Sequence, residues 1–386
     1  MEPMPALVVQ TLQKENAAAP QFRSLFANLG GHQHTLGGYF LPQPRALRAL
    51  GNSAPKPEDV VHLKTHDGDL LVGVRHTPVG EPQGVLHVFH GLAGSSNSTY
   101  MPRIAETAIR LGLITILWNH RGCGPGRKLA KRPYHSGRSD DLGRAVEYGR
   151  EYHPHLKQIL LGYSLSANAA VLLAAGVIPA QSESPLSASE WKRLANASQP
   201  DLCIAVNPPL DLKQSALRLS HGPAKLYGQR FIVDLLECLH DRAGEPEADQ
   251  ALRQLDKHFA TFRFSVIDFD AAYTGFAGGF KDHLDYYKRA SCGRYLTRSE
   301  IPLVVLTSED DPITRGLSDL ERPLSSGPTP NLLALDLQTA GGHMGYIDLG
   351  SVRATWDDKQ DRWMEERIAL YLKSYLKLLA ASPERT

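Results

Sequence analysis

Three residues that together could activate a hydroxyl group each follow a predicted strand: Ser164, Asp311 and His343. A serine hydroxyl is a poor nucleophile until a neighbouring base takes its proton, and that base needs a carboxylate to orient it. The order serine, acid, histidine, with the last two on loops after later strands, is that of an α/β-hydrolase triad. This combination is much harder to obtain by chance than any one member, so we predict a Ser-Asp-His triad.

Ser164 lies between a short apolar strand and a helix rich in small residues. A nucleophile elbow needs this context, because a strained strand-to-helix turn lifts the serine Oγ away from neighbouring side chains. Gly162 fits the small residue expected two positions earlier, whereas Ser166 stands where a second glycine is usual. The G-x-S-x-S pattern alone fits a helix-capping serine equally well. The acid and the histidine favour the nucleophile.

The acid and the histidine follow the predicted strands 301–306 and 331–337. The first strand leads into Ser308-Glu309-Asp310-Asp311-Pro312-Ile313, and the second into a glycine-rich turn that ends at His343. The usual spacing places the acid two residues before an aliphatic anchor, here Ile313. This spacing favours Asp311 and leaves Asp310 as the alternative.

Two backbone N–H groups must be preset to stabilise the oxyanion of a tetrahedral intermediate. We predict Leu165, directly after the serine, and Leu92, in the turn after the strand that ends at His90-Gly91. The Gly- and Ser-rich segment 91–96 suits such a loop. It lacks the lysine of a P-loop and the glycine spacing of a dinucleotide site, so no cofactor is expected.

Predicted strands and helices alternate along the chain before and after Ser164, as expected for a parallel sheet covered by helices on both faces. An antiparallel hairpin over 60–74 precedes them. The other predicted elements are strands 84–89, 113–118, 158–161 and 202–206 and helices 102–111, 140–152 and 165–175.

This alternation divides the chain into three parts. Residues 1–56 are expected to form an extension packed on the core, with a short helix around 20–29. Residues 57–207 and 301–386 are expected to form the α/β-hydrolase core, which ends in an amphipathic helix from about 361. Residues 208–300 interrupt the alternation with helix-like, aromatic sequence and are predicted to be a lid insertion.

Composition excludes several classes of protein. The formal net charge of +1 gives no electrostatic reason to expect a nucleic-acid partner. The most apolar stretch, 167–180, is too short to cross a bilayer, so we expect no transmembrane segment and leave peripheral membrane contact open.

The N-terminus lacks the pattern of a secretory signal, and the four cysteines are far apart, so reduced thiols and a cytoplasmic location are expected. The histidine pairs 87/90 and 153/155 lack zinc-enzyme spacing, and no metal is expected.

Several motifs together resemble those of the YheT-like α/β-hydrolases, which are related to the ABHD lipases and esterases. They cover most of the chain: Gly31-His32-Gln33-His34-Thr35, His90-Gly91-Leu92, Asn119-His120-Arg121-Gly122-Cys123, Tyr134-His135-Ser136-Gly137, Gly162-Tyr163-Ser164-Leu165, Asp268-Phe269-Asp270, Asp310-Asp311-Pro312 and Gly342-His343.

The resemblance implies an α/β-hydrolase fold, a triad of Ser164, Asp311 and His343, and activity as a carboxylesterase or lipase on an acyl ester. The chain departs from the family at Ser166, where glycine is usual, and at Gln33-His34 in the N-terminal motif. The expected function is therefore ester hydrolysis through an acyl-enzyme. The alternatives are a serine peptidase or amidase, and a non-catalytic binding protein on the same scaffold.

Overall fold

The computed structural model describes residues 4–25, 30–41, 56–179, 189, 193, 197–259, 264–314, 332–349 and 362–381. Eight strands within these residues pair into one sheet. The strands are β1 (Val60–Lys64), β2 (Leu70–His76), β3 (Gly84–Phe89), β4 (Leu113–Asn119), β5 (Gln158–Tyr163), β6 (Leu202–Val206), β7 (Leu303–Ser308) and β8 (Leu333–Gln338).

The strands lie in the order β1-β2-β4-β3-β5-β6-β7-β8. The predicted hairpin is confirmed, since Val60 pairs with Val74 and Lys64 with Leu70 in antiparallel register. β2 is also antiparallel to β4, and every later pairing is parallel. β3, β5 and β6 are buried along their whole length, as expected for strands covered on both faces.

Helices cover both faces of this sheet. The described helices are α1 (Met4–Ala18), α2 (Gly31–Phe40), α3 (Tyr100–Arg110), α4 (Ser139–Tyr152), α5 (Leu165–Ala174), α6 (Leu212–Ser220), α7 (Lys225–His240), α8 (Pro246–Phe259), α9 (Val266–Phe269), α10 (Gly275–Ala277), α11 (His283–Ala290) and α12 (Trp363–Ala381). One core layer joins α1, α3 and α12 to the sheet, and a second joins α4 and α5 to its other face. The parallel sheet with helices on both faces is thus confirmed.

The N-terminal expectation of one short helix around 20–29 was wrong. The described part of the first forty residues contains two helices, α1 and α2, and residues 20–25 between them are not helical. Residues 26–29 lie outside the described part of the chain. The pattern was missed because α1 buries only Ala6, Val8, Val9 and Leu12, too few for a clear helical periodicity. Packing of α1 on α12 and β8 provides its partners.

Several other predicted boundaries differ from the observed ones by about two residues. The strand expected over 301–306 runs from Leu303 to Ser308, because Pro302 has no N–H to donate to a neighbouring strand. The strand expected over 331–337 runs from Leu333 to Gln338. The C-terminal helix is described from Trp363, and the predicted start near residue 361 lies outside the described residues.

In its described part, the chain between β6 and β7 carries six α-helices and no strand. We call Leu212–Arg298 the helical insertion. It has an apolar core of its own, to which Leu235, Leu239 and Phe269 contribute. The same cluster includes Leu165 and Ile313 of the sheet's loops, so the insertion packs over the ends of β5 and β7.

Helix α2 packs directly on the loop after β8 through close backbone contacts. A Cβ at Gly345 would lie 1.9 Å from the carbonyl oxygen of His34, and one at Gly31 would lie 1.8 Å from that of Asp310. Only glycine leaves room for these approaches. The N-terminal extension is therefore tied to the loops that follow β7 and β8.

Replacing Gly345 with alanine should separate α2 from this loop. We expect Gly345→Ala to lower the free energy of unfolding by about 1–3 kcal/mol, the usual cost of forcing an extra methyl group into a packed site. Urea titration followed by circular dichroism measures this loss. Gly126→Ala is the control, because its Cβ would meet Val72 at an ordinary 3.4 Å. Equal stability of the two variants would contradict the assigned packing.

Candidate active site

The three residues predicted as a triad lie in one hydrogen-bonded line. His343 Nε2 is 2.8 Å from Ser164 Oγ, and His343 Nδ1 is 2.8 Å from Asp311 Oδ2. The three side chains come from the loops after β5, β7 and β8. Asp311 is fully buried, and the His343 side chain is 8% exposed, so the contact between these two side chains is shielded from water. Such a line can transfer the serine proton to the imidazole while the carboxylate orients the ring.

Ser164 lies on a strained turn between β5 and α5. Its backbone has φ 51° and ψ −113°, an unfavourable conformation for a residue with a side chain. Its N–H donates to the carbonyl oxygen of Val206, which fastens the turn to β6. A Cβ at Gly162 would lie 2.5 Å from the carbonyl oxygen of Ser166, so the turn requires glycine there. These are the features predicted for a nucleophile elbow.

Asp311 is held by the loop that carries it. Its Oδ1 accepts hydrogen bonds from the N–H groups of Ile313 and Thr314, at 2.7 and 2.9 Å. Its Oδ2 accepts from Asn207 Nδ2 and Thr314 Oγ1 as well as facing His343. Burial raises the pKa of Asp311, but His343 and these donors outweigh burial and lower that pKa below its usual value. The carboxylate is therefore ionised and fixed.

The neighbouring acid, Asp310, points elsewhere. Its Oδ1 accepts a hydrogen bond of 2.8 Å from the backbone N–H of Gly342. It therefore braces the backbone of the histidine loop, whereas Asp311 contacts the imidazole. Of the two alternatives left open by the sequence, the geometry favours Asp311.

Leu92 and Leu165 both border the cavity in front of Ser164. Leu165 is the first residue of α5, so its N–H has no acceptor within the helix. The N–H groups on either side of Leu92 donate to tyrosine hydroxyls, Gly91 to Tyr100 and Ala93 to Tyr134. These bonds fix the loop close to the serine, since a Cβ at Gly91 would lie 3.2 Å from that of Ser164. The arrangement suits the predicted oxyanion donors.

Ser166, the unusual residue of the elbow, is fully buried in a hydrogen-bond network. Its hydroxyl donates to the carbonyl oxygen of His90 and lies 2.6 Å from His120 Nε2, from which it accepts. Burial lowers the pKa of His120 to about 4, so the ring is neutral. His90 Nε2 in turn accepts from the backbone N–H of His120. Ser166 thus links the elbow to the residue that precedes the Gly91-Leu92 turn.

Helix α2 contributes to the site from the N-terminal side. The backbone N–H of His343 donates to Thr35 Oγ1, and the N–H of Ile347 donates to His34 Nδ1. His34 is one of the two positions where the N-terminal motif departs from the family pattern. The roles of Thr35 and Asn207 could not be predicted, because neither residue has a chemical signature of its own; only the shared N-terminal motif hinted at Thr35.

In front of the triad is a cavity that contains about 980 Å³ of space, part of it open to solvent. Its wall is mostly apolar and is formed by the insertion and by the loops that follow the carboxyl ends of the strands. Of the aromatic residues of the insertion, Phe231 and Tyr273 line the cavity, whereas Phe264 and Phe280 are buried elsewhere in the insertion. Phe276 is half exposed. Phe259 and Phe262 have side chains outside the described set.

Among the described residues, no group of three or more His, Cys, Asp or Glu side chains could hold a metal ion. The four cysteines are free thiols. A search of the described helices finds none that combines the length and apolar character needed to cross a membrane.

The sheet order, the strained serine turn after β5 and the histidine loop after β8 together define an α/β hydrolase fold. The chain is 26% identical to "Putative esterase YheT" of Escherichia coli, over 82% of this chain and 84% of that protein. It is 25% identical to "Monoacylglycerol lipase" of Saccharomyces cerevisiae, over 75% of this chain and 59% of the yeast protein. It is 26% identical to mouse "Monoacylglycerol lipase ABHD2", over 70% of this chain and 62% of the mouse protein.

These relatives confirm the resemblance to the YheT-like, ABHD-related α/β-hydrolases that the motifs indicated. No protein-family model matches the chain. Among solved structures, the esterase Pf2001 of Pyrococcus furiosus aligns with a TM-score of 0.49 and 17% identity, covering 87% of this chain and 98% of that one.

Removing the Ser166 hydroxyl should loosen the loop that carries Leu92. We expect Ser166→Ala to speed amide hydrogen exchange over residues 90–95 by about tenfold, the equivalent of one lost buried hydrogen bond. Exchange measured by mass spectrometry on peptides from this segment tests the effect. Ser139→Ala is the matched control, because the Ser139 hydroxyl is also largely buried and donates to a carbonyl, that of Val177, away from the site. Unchanged exchange in Ser166→Ala would show that the loop is held without it.

Proposed function

We propose that this protein is a serine hydrolase that cleaves carboxylic esters through an acyl-enzyme intermediate. The observation that carries the proposal is the continuous line from Ser164 Oγ through His343 to Asp311, with both contacts at 2.8 Å. Relatives named as esterases and lipases support esters as the substrate class. In this proposal residues 208–300 act as a lid, and Asp311 is the triad acid.

The first half of the reaction acylates the serine. His343 Nε2 accepts the hydroxyl proton as Ser164 Oγ attacks the ester carbonyl carbon, and the carbonyl oxygen becomes an oxyanion. The N–H groups of Leu92 and Leu165 stabilise that charge. His343 then donates its proton to the leaving alcohol oxygen as the C–O bond breaks. The products are the free alcohol and an ester between the acyl group and Ser164.

The second half releases the acid. His343 Nε2 takes a proton from water, the hydroxide formed attacks the acyl carbon, and the proton returns to Ser164 Oγ as its bond to carbon breaks. Asp311 remains ionised throughout and stabilises the imidazolium, consistent with its lowered pKa. The apolar walls of the cavity provide a place for the acyl chain, because burial of a hydrocarbon chain is favourable.

A fluorophosphonate probe should label Ser164 and no other residue at comparable rate. We expect Ser164→Ala protein to lose the label and to lose hydrolysis of p-nitrophenyl butyrate by at least about a thousandfold, since the nucleophile itself is gone. Mass spectrometry of the peptide that contains residue 164 measures the labelling. Ser139→Ala should label like the unmodified protein. Labelling that persists undiminished in Ser164→Ala would refute the proposal.

The two adjacent acids should differ sharply. We expect Asp311→Asn to lower kcat for p-nitrophenyl esters by roughly 10³–10⁴-fold, because an amide cannot hold the histidine in the required tautomer. Asp310→Asn retains an amide oxygen that can still accept from the N–H of Gly342, so its kcat should stay within a few fold of the unmodified protein. Steady-state kinetics on both variants decides between the two acids, and a larger loss in Asp310→Asn would reverse the assignment.

A further inference from the structure

One part of the cavity wall is polar, although most of the wall is apolar. The side chains with polar atoms that line it there include His135, Ser215, Asp270, Thr274 and Tyr287. None of them belongs to the proposed triad or to the oxyanion loop. The hydrogen bonds of these side chains show which donors and acceptors remain available to a bound molecule.

His135 presents an unused hydrogen-bond donor. Its Nδ1 accepts a bond of 3.1 Å from the backbone N–H of Gly137, so the ring proton of the neutral imidazole lies on Nε2. Burial, with the nearby Arg138 and Arg121, keeps the pKa of His135 well below its usual value, so the ring stays neutral. His135 is only 2% exposed, and Nε2 has no hydrogen-bond partner among the described residues.

Ser215 presents an unused hydroxyl. It lies on α6, is 5% exposed, and its Oγ has no hydrogen-bond partner within the described part of the chain. Its helix neighbours Leu212 and Ala216 pack in one apolar cluster with Tyr286 and Tyr287. Ser215 therefore lies on the same side of the cavity as the tyrosines of α11.

Asp270 supplies a carboxyl group to this wall. It begins the π-helical turn Asp270–Thr274, a type of irregularity that is frequent at functional sites. The Tyr287 hydroxyl donates to Asp270 Oδ2 at 2.7 Å. Burial raises the pKa of Asp270 to about 6, although hydrogen bonds from Tyr287 and Thr274 oppose that rise.

Aromatic contacts connect these groups into one patch. The His135 ring packs edge-on against Tyr286 at 5.6 Å between centroids, and Tyr286 packs against Tyr287 at 5.3 Å. A Cβ at Gly278 would lie 2.5 Å from the carbonyl oxygen of Thr274 and 3.1 Å from the His135 ring, so the π turn and the imidazole are close neighbours. Buried donors and acceptors without partners are costly, and a ligand that pairs with them recovers that cost.

We propose that this polar patch is a subsite that binds a free hydroxyl group of the ester substrate. A hydroxyl accepts a hydrogen bond from His135 Nε2 and donates one to Ser215 or Asp270. An ammonium group cannot accept from His135, and a carboxylate has no proton for Asp270 and is repelled by it when both are ionised. The inference rests on the proposed ester hydrolysis and adds the substrate feature that the cavity selects. The hydroxyl belongs either to the alcohol part or to the acyl chain.

The test compares matched substrates with and without a hydroxyl group. For the alcohol part, glycerol monobutyrate is compared with propyl butyrate in a pH-stat assay; for the acyl part, p-nitrophenyl 8-hydroxyoctanoate is compared with p-nitrophenyl octanoate. We expect kcat/KM to favour the hydroxylated substrate by about tenfold in at least one pair. The pair that shows the preference identifies which part of the substrate carries the hydroxyl.

Variants connect the preference to the patch. Ser215→Ala and Asp270→Asn should each reduce the preference to about threefold or less, because each removes one partner of the substrate hydroxyl. Ser220→Ala, on the same helix but bonded to the carbonyl of Ala216, should keep the full preference. Ser215→Thr, which retains a hydroxyl, should restore part of it.

The outcomes separate this inference from the proposed function. Hydrolysis of plain esters with no preference in either pair, or a preference that both variants retain, overturns the subsite and leaves the ester hydrolase intact. Absence of hydrolysis on all four esters overturns both. Thermal melting of each variant shows that its fold is retained before the kinetic comparison is made.

Discussion

The backbone of Ser164 sits in a conformation that residues with side chains avoid, and most of the site depends on holding it there. Three contacts hold the elbow in this strained conformation. The serine N–H donates to a carbonyl of β6, the carbonyl of Ser166 packs against Gly162, and Gly91 leaves room for the neighbouring loop to lie close to the serine. In this conformation the hydroxyl lies 2.8 Å from His343 Nε2. The geometry is thus maintained by the packing of the elements behind the serine, while the cavity lies in front of it.

The same principle explains how the two loops beside the serine are fixed. On one side, the Ser166 hydroxyl ties the elbow to His90, and two tyrosine hydroxyls bind the N–H groups around Leu92. On the other side, helix α2 binds the histidine loop through Thr35 and His34. The N-terminal residues therefore form part of the scaffold of the site. Two histidines in these contacts, His34 and His120, act as neutral hydrogen-bonding groups, since burial lowers their pKa values.

The helical insertion gives the cavity two kinds of wall. Its leucines and phenylalanines provide apolar surface for a hydrocarbon chain, whereas the π turn at Asp270–Thr274 brings a carboxyl group and a hydroxyl to the same space. An apolar cavity binds many chains with little discrimination, because the hydrophobic effect is not directional. Hydrogen-bonding groups are directional, so the proposed subsite is the part of the wall suited to discriminate between esters.

The sequence by itself determined the strands of the sheet, the helices between them and the residues of the serine–acid–histidine line, because buried strands, turn glycines and the order of the three residues leave local patterns. It also favoured Asp311 over Asp310 through the spacing to Ile313. It did not determine the two N-terminal helices, whose apolar residues are few, nor the roles of Thr35, Asn207 and Ser215. Those roles arise only in the folded chain. Folding places Thr35 of α2 beside His343 and Asn207, after β6, beside Asp311, and it places Ser215 of α6 in the cavity wall. Tertiary structure decided them because a hydroxyl or an amide is chemically ordinary until folding fixes what it faces and removes the water that would otherwise pair with it.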